Sequence, residues 1–463
     1  MTDRPPGVTG GRQGGSGGSP IPENPARQLV RRMTHQHRSI KPKVVVTGAG
    51  AVTNLGRDAS STWAGMREGR SGISLIEGEE FTRFQGRWDC KIAGQVKNWD
   101  FTASGAADAR EAKRLDRVTL LGLGAAHEAV RHSGIDFSKV DGERCGVVVG
   151  SGIGGIRTIE EQMVVLGDRG PDRISPFTVP RLMVNATAGN ISIRYGLKGP
   201  SSAHATACAS SGHAMGEAMD VIQRGWADVV VCGGAEAAVT PLCIGAFMTM
   251  KALSVRNDEP QRASRPFDAG RDGFVMAEGA AMFVLESEAH AKARGATILA
   301  EVLGVGNTCD AGHITAPDPA GGGAARSMKM ALREAGLNPE QIEYVNAHGT
   351  STPLGDKAEV SAVMNVFGDH ARKSAGGRLL MSSTKSMHGH TLGASGAVEM
   401  IACIHAVRDG VIPPTINLDT PDEGFDVDLV AHHARERRIR YAMNNTFGFG
   451  GHNVTLIVGR YDG

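Results

Sequence analysis

The 463-residue sequence is short of cysteine, aromatic side chains and net charge, and each shortage excludes something. Its seven cysteines are Cys90, Cys145, Cys208, Cys232, Cys243, Cys309 and Cys403. They are scattered, odd in number and never spaced Cys-x-x-Cys. That argues against a disulfide framework or a zinc site and suits a reducing compartment. A net charge of +1 supplies no global field for nucleic acid or an anionic membrane, so an acidic partner must meet a local basic patch. No apolar run reaches the roughly 18 residues of a membrane span. No strand-like run leads into a Gly-x-Ser-x-Gly elbow, and a P-loop is absent.

What the chain does have is glycine, 63 residues of it, which predicts many tight turns and close backbone approaches. Residues 1–41 are Gly/Ser/Pro-rich and then basic ("RQLVRRMTHQHR"). They read as a disordered leader, with the end of an organellar presequence as the alternative. From "KVVVTGAGAVTNLG" onward, short β-branched runs alternate with helical windows. This pattern predicts α/β layers whose strands are buried on both faces. Near residue 296 the same strand–helix order starts again at "ILAEVLGVGNTCD". We therefore expect a duplicated unit, with halves at 42–295 and 296–463.

Four stretches carry candidate chemistry. "HATACASSGHAMGEA" places Cys208 where a short strand meets a helix start. Helix N–H groups and the dipole favour a thiolate there, so the Cys208 pKa is expected to fall. Ala207, Ala209, Ser210 and Ser211 leave room for a substrate at sulfur. "VNAHGTSTPLGDKAE" puts His348 just past a strand end, followed by a tight polar loop containing Thr350 and Thr352. "SSTKSMHGHTLGASGAVE" puts Lys385 and His390 before another glycine-rich helix start. "NNTFGFGGHN" is a glycine loop with Phe447 and Phe449 set among the glycines. A fifth stretch, "GSGIGG" at Gly150–Gly155, matches the dinucleotide fingerprint. It lacks an acidic ribose partner at the right distance and reads as a tight turn.

Taken together, these stretches resemble the β-ketoacyl-acyl carrier protein synthases, over about residues 43–460; "SRPFDAGRDGFVMAEGA" also matches. The resemblance implies a thiolase-like duplicated five-layer αβαβα fold, usually a homodimer, needing no cofactor or metal. It implies Cys208 as nucleophile, His348 and His390 as paired imidazoles and Lys385 beside them. Thr350, Thr352, Asp356 and Glu399 become supporting residues. Phe449 becomes the gate, its N–H sharing an oxyanion hole with that of Cys208. Met183, Phe247 and Phe447 are expected along the acyl pocket, and Lys113, Arg114 and Lys251 at the acyl carrier protein surface. The implied reaction is acyl transfer to Cys208, then decarboxylation of a malonyl thioester and carbon–carbon bond formation, in a bacterial cytoplasm. His388 and His452 stand where Thr is frequent in the family and would add titratable neighbours. A polyketide ketosynthase shares these motifs. A non-catalytic chain-length subunit would normally lack the Cys, and an acetyl-primed synthase would carry Asn at the third catalytic position.

Overall fold

A computed structural model of the chain describes residues 41–463; the expected leader lies, Lys41 apart, outside the described residues. Ten strands form the main sheet. Five come first: β1 Val44–Thr53, β2 Cys145–Gly150, β3 Ser201–His204, β4 Val229–Glu236 and β5 Gly279–Ser287. Five follow: β6 Ala300–Cys309, β7 Tyr344–Asn346, β8 Leu380–Ser382, β9 Tyr441–Gly448 and β10 His452–Gly459. Their order is β8-β7-β9-β10-β6-β1-β5-β4-β2-β3.

The duplication is visible in the pairing. β1 runs antiparallel to β5 and β5 antiparallel to β4, while β4, β2 and β3 are parallel. In the second set β6 runs antiparallel to β10 and β10 antiparallel to β9, while β9, β7 and β8 are parallel. The two sets join where Val44–Val46 pair with Ala300–Val302, so the sheet is continuous.

Six helices make the other layers: α1 Arg117–Ser133, α2 Ala186–Tyr195, α3 Ser210–Gln223, α4 Gly322–Ala335, α5 Pro353–Phe367 and α6 Ser395–Asp409. α3 and α6 pack on each other, and each touches strands of both sets; α1 and α2 cover the outer face of the first set, α4 and α5 that of the second. The result is the αβαβα order. Local sequence explains the elements. β2 reads Cys-Gly-Val-Val-Val-Gly and is buried throughout, each valine contributing about 1.5–2 kcal/mol. α1 starts where the Asp116 carboxylate accepts from Val118 N–H and stops at Gly134, whose φ is 66°. α5 starts with Thr352 as cap and Pro353 in its first turn. No helix of the described residues is long and apolar enough to cross a membrane.

Candidate active site

The site lies where several strands end, a position that α/β sheets reserve for ligands. After β3 the chain turns at Ala207, a non-glycine residue at φ 50°, and presents Cys208 at the start of α3. The turn is held by Ala209 N–H to Thr206 O (3.1 Å), Thr206 N–H to Ser210 Oγ (2.9 Å) and Ser210 O–H to Ala207 O (2.6 Å). A left-handed alanine is strained, a conformation that recurs at functional sites.

His390 Nε2 lies 3.0 Å from Cys208 Sγ, and its Nδ1 pairs with Ser395 Oγ at 2.8 Å. Its backbone is fixed by bonds with Val275 O and Ala277 N–H. His348 stands edge-on to His390, ring centroids 5.4 Å apart. The Glu359 carboxylate accepts from His348 N–H (2.9 Å) and Gly349 N–H (2.7 Å), which fixes the turn after β7. The backbone N–H groups of Phe449 and of Cys208 itself both lie against the sulfur and favour its anion. Gly448 makes this possible: a Cβ there would meet Thr206 O at 2.7 Å and Cys208 N at 3.1 Å. Lys385, 1% exposed, is ion-paired with the fully buried Glu399. Thus three segments distant in sequence bring Cys208, His348, His390 and Lys385 together.

The electrostatics follow from burial. His348 and His390 are held well below the usual imidazole range by desolvation, then by the charge of Lys385. Both are therefore neutral hydrogen-bond donors at pH 7. The Cys208 thiol is pushed up to about 12 by burial, against the opposing pull of Lys385 and the two amides. This corrects the expectation of a lowered thiol pKa. The helix terminus is there, but desolvation at 9% exposure outweighs it. A thiol therefore stands next to a neutral imidazole at this site. His388 is buried and pushed to about 3, so it adds no titration near neutrality. His452 packs edge-on against His213.

The remaining predicted residues fall in three groups. Asp356 is fully buried and accepts from Phe267 N–H and Ser351 N–H; Thr350 and Thr352 pair through their hydroxyls at 3.1 Å. These three shape the loop after His348 without touching Cys208. Phe247 packs on Phe449 and Phe274, against the apolar cluster that holds Cys208, Ile156, Met276 and Leu392. Phe447 instead leans on His348 and on the core of the second half, and Met183 is 39% exposed on the single chain. Lys113 and Arg114 are exposed, Arg114 lying over the Phe177 ring; Lys251 is exposed and pairs with Asp89 at 3.4 Å. Open clefts of about 320 and 470 Å³ lie elsewhere, around Glu128 with Arg408 and around Leu75 with Arg262; Cys208 lines neither. Sequence reasoning had not singled out Glu359, Ser395, Ser151 or Glu236, all of which brace this site.

A buried thiol, two neutral imidazoles and a paired lysine on a duplicated five-layer fold define a condensing acyltransferase. The β-ketoacyl synthase N-terminal domain matches residues 41–291 and the β-ketoacyl synthase C-terminal domain residues 299–419, and the chain belongs to that family. It is 48% identical to the 3-oxoacyl-[acyl-carrier-protein] synthase 2 of Vibrio cholerae over 91% of this chain and 99% of that one. A solved β-ketoacyl synthase from Burkholderia phymatum is 34% identical, with a TM-score of 0.82 over 91% of this chain and all of the other. A type II polyketide ketosynthase solved in complex with its acyl-carrier protein is 32% identical, again with a TM-score of 0.82 over 91% and 100%.

Proposed function

We propose that the chain is a 3-oxoacyl-acyl carrier protein synthase of the elongating type, which adds two carbons to an acyl chain held on Cys208. The observation that carries this reading is the 3.0 Å contact of Cys208 Sγ with His390 Nε2, with His348 beside it.

In the first step sulfur attacks the acyl thioester and the thiol proton passes to the departing carrier sulfur, so both imidazoles keep their N–H. The amides of Cys208 and Phe449 receive the oxyanion; one such donor is worth about 3–4 kcal/mol of barrier. The carrier thiol leaves with the proton, and the acyl group stays on sulfur. In the second step a malonyl thioester loses carbon dioxide. The electron pair goes to the thioester oxygen as an enolate, stabilised by N–H donation from the two neutral imidazoles. The carbanion attacks the acyl-Cys208 carbonyl, the carbon–sulfur bond breaks, the Cys208 thiolate so released takes a proton from water, and the 3-oxoacyl product leaves on its carrier. His348, His390 and Lys385 are assigned as catalytic, with Asp356, Thr350, Thr352 and Glu399 in support. Residues 42–295 supply the thiol and 296–463 the imidazoles.

Acyl carrier protein as partner, a homodimer and a cytoplasmic setting belong to the same reading. The exposed Ile193 on α2, which packs on edge strand β3, with the exposed Val179 and Met183 on the neighbouring segment, supports a second copy docking there. A polyketide ketosynthase is the second reading, and the lower identity to the solved type II ketosynthase, 32% against 48% to the Vibrio cholerae synthase, favours the first.

The test is intact-mass spectrometry after incubation with acyl carrier proteins of varied chain length, followed by malonyl carrier protein. The expected result is one acyl adduct, then a carrier-bound product two carbons longer. Absence of decarboxylation with every primer overturns the reading. Charge reversal at Lys113, Arg114 and Lys251 together should raise KM for carrier-linked substrates roughly tenfold, less so at high salt, with kcat little changed. Kinetics unmoved at low salt would reject that surface.

A further inference from the structure

The duplication extends to the elbow that carries the nucleophile. Thr206-Ala207-Cys208-Ala209-Ser210 after β3 corresponds to Thr391-Leu392-Gly393-Ala394-Ser395 after β8. Ala207 and Leu392 both have positive φ, 50° and 44°. Ala209 N–H bonds Thr206 O, and Ala394 N–H bonds Thr391 O, at 3.1 and 3.0 Å. α3 and α6 begin at the two matching serines. The turns after the matching strands β2 and β7 correspond as well: Gly152 follows β2 as His348 follows β7. The molecule therefore holds a second copy of the catalytic cradle in which the thiol and one imidazole are replaced by glycines.

That second cradle is filled from within. The fully buried Glu236, at the end of β4, accepts from Gly152 N–H (2.7 Å), Gly393 N–H (3.0 Å), Ser151 O–H (3.0 Å) and Ile153 N–H (3.4 Å). Glu359 clamps His348 and Gly349 in the same manner in the first cradle. Space allows nothing larger than glycine: a Cβ on Gly393 would meet Gly152 N at 2.1 Å and Glu236 Oε2 at 2.7 Å. The "GSGIGG" turn thus holds a carboxylate of its own chain.

We infer that Glu236 is a positioning residue for the Cys208–His390 pair: its carboxylate staples the turn behind Cys208 to the elbow that follows His390. On one side, a Cβ on Gly152 would lie 3.4 Å from Ala207 O, so the turn runs close beside the elbow of Cys208. On the other, Gly393 lies two residues before Ser395, whose hydroxyl holds His390 Nδ1. The carboxylate also acts on sulfur through space. Around Cys208, Lys385 favours the thiolate and Glu236 disfavours it, with His390 in contact; the charge of Glu236 also disfavours the Cys243 thiolate. This inference rests on Cys208 being the nucleophile.

Two variants test it. In Glu236→Gln the amide oxygen still accepts from Gly152 and Gly393, its NH₂ donates to Ser151 Oγ, and the charge is gone. The rate of Cys208 alkylation by iodoacetamide at pH 9, read by peptide mass spectrometry, should rise about threefold or more, because alkylation follows the thiolate fraction. In Glu236→Ala the two glycine amides lose their acceptor, and kcat for condensation should fall about 10- to 100-fold with KM little changed. A purely structural role would lower the melting temperature of both variants without accelerating alkylation. Unchanged or slower alkylation in Glu236→Gln overturns the inference, as does wild-type kcat in a folded Glu236→Ala; if the alanine variant fails to fold, the glutamine variant decides. If wild-type acyl adducts map to a residue other than Cys208, the functional reading fails instead.

Discussion

Cys208→Ala should abolish the acyl-enzyme adduct and lower condensation by about 10⁴-fold or more, while the protein stays folded. The size follows from the site having one nucleophile. The sulfur against His390 Nε2 is that of Cys208; the sulfurs of Cys90, Cys145, Cys309 and Cys403 lie instead against the carbonyls of Ile92, Asp141, Gly450 and Met443. Stability should change little. The substitution removes one sulfur atom, and the turn around it is held by the backbone of Thr206, Ala207 and Ala209 and by Ser210 Oγ, none of which it touches. Intact mass after incubation with acyl carrier protein reads the first effect, and thermal unfolding the second. A surviving adduct of acyl mass would sink the assignment. Retained decarboxylation of malonyl carrier protein by this variant would be consistent with it, since His348 and His390 remain.

Much of this was legible in the sequence. Alternating β-branched runs and helical windows located the strands, because a strand covered on both faces must be apolar throughout, as β2 is. The restart near residue 296 showed the duplication, and the four glycine-bearing stretches carried the residues that converge on Cys208. Three things stayed hidden for physical reasons. The first is the Cys208 thiol pKa: a sequence reveals the helix terminus but not the burial that overrides it. The second is the set of residues bracing the site. Ser395 and Glu236 act through backbone groups far away in the chain, and no short spacing announces them. The repeat of Thr206–Ser210 in Thr391–Ser395 was present to be seen, but cysteine against glycine at its centre disguised it. The third is the setting of Met183, whose exposure on one chain has no sequence signal at all.

The last expected result concerns the buried pair. Lys385→Met should cost about 1–3 kcal/mol of stability at neutral pH, more at higher pH, and lower condensation about 10²-fold or more. Removing the ammonium leaves Glu399 fully buried, and its Oε2 already has no hydrogen-bond partner among the described residues. Burial holds the Glu399 carboxyl up at about 7 even with Lys385 pulling it down, so the variant must hold it higher still. The sign follows from linkage. A carboxyl whose folded pKa is raised destabilises the fold increasingly as pH rises from its unfolded value, near 4.3, to its folded one. In the wild type that loss levels off near pH 7; in the variant it continues above it. The difference in melting temperature should therefore widen between pH 5.5 and pH 8, and a constant difference would contradict the pairing. Adding Glu399→Gln to Lys385→Met removes the titrating carboxyl and should recover most of the stability lost at high pH. It should not recover condensation. Lys385 also adds to the burial that keeps His348 and His390 neutral and favours the anion at Cys208, and its share does not return with the amide.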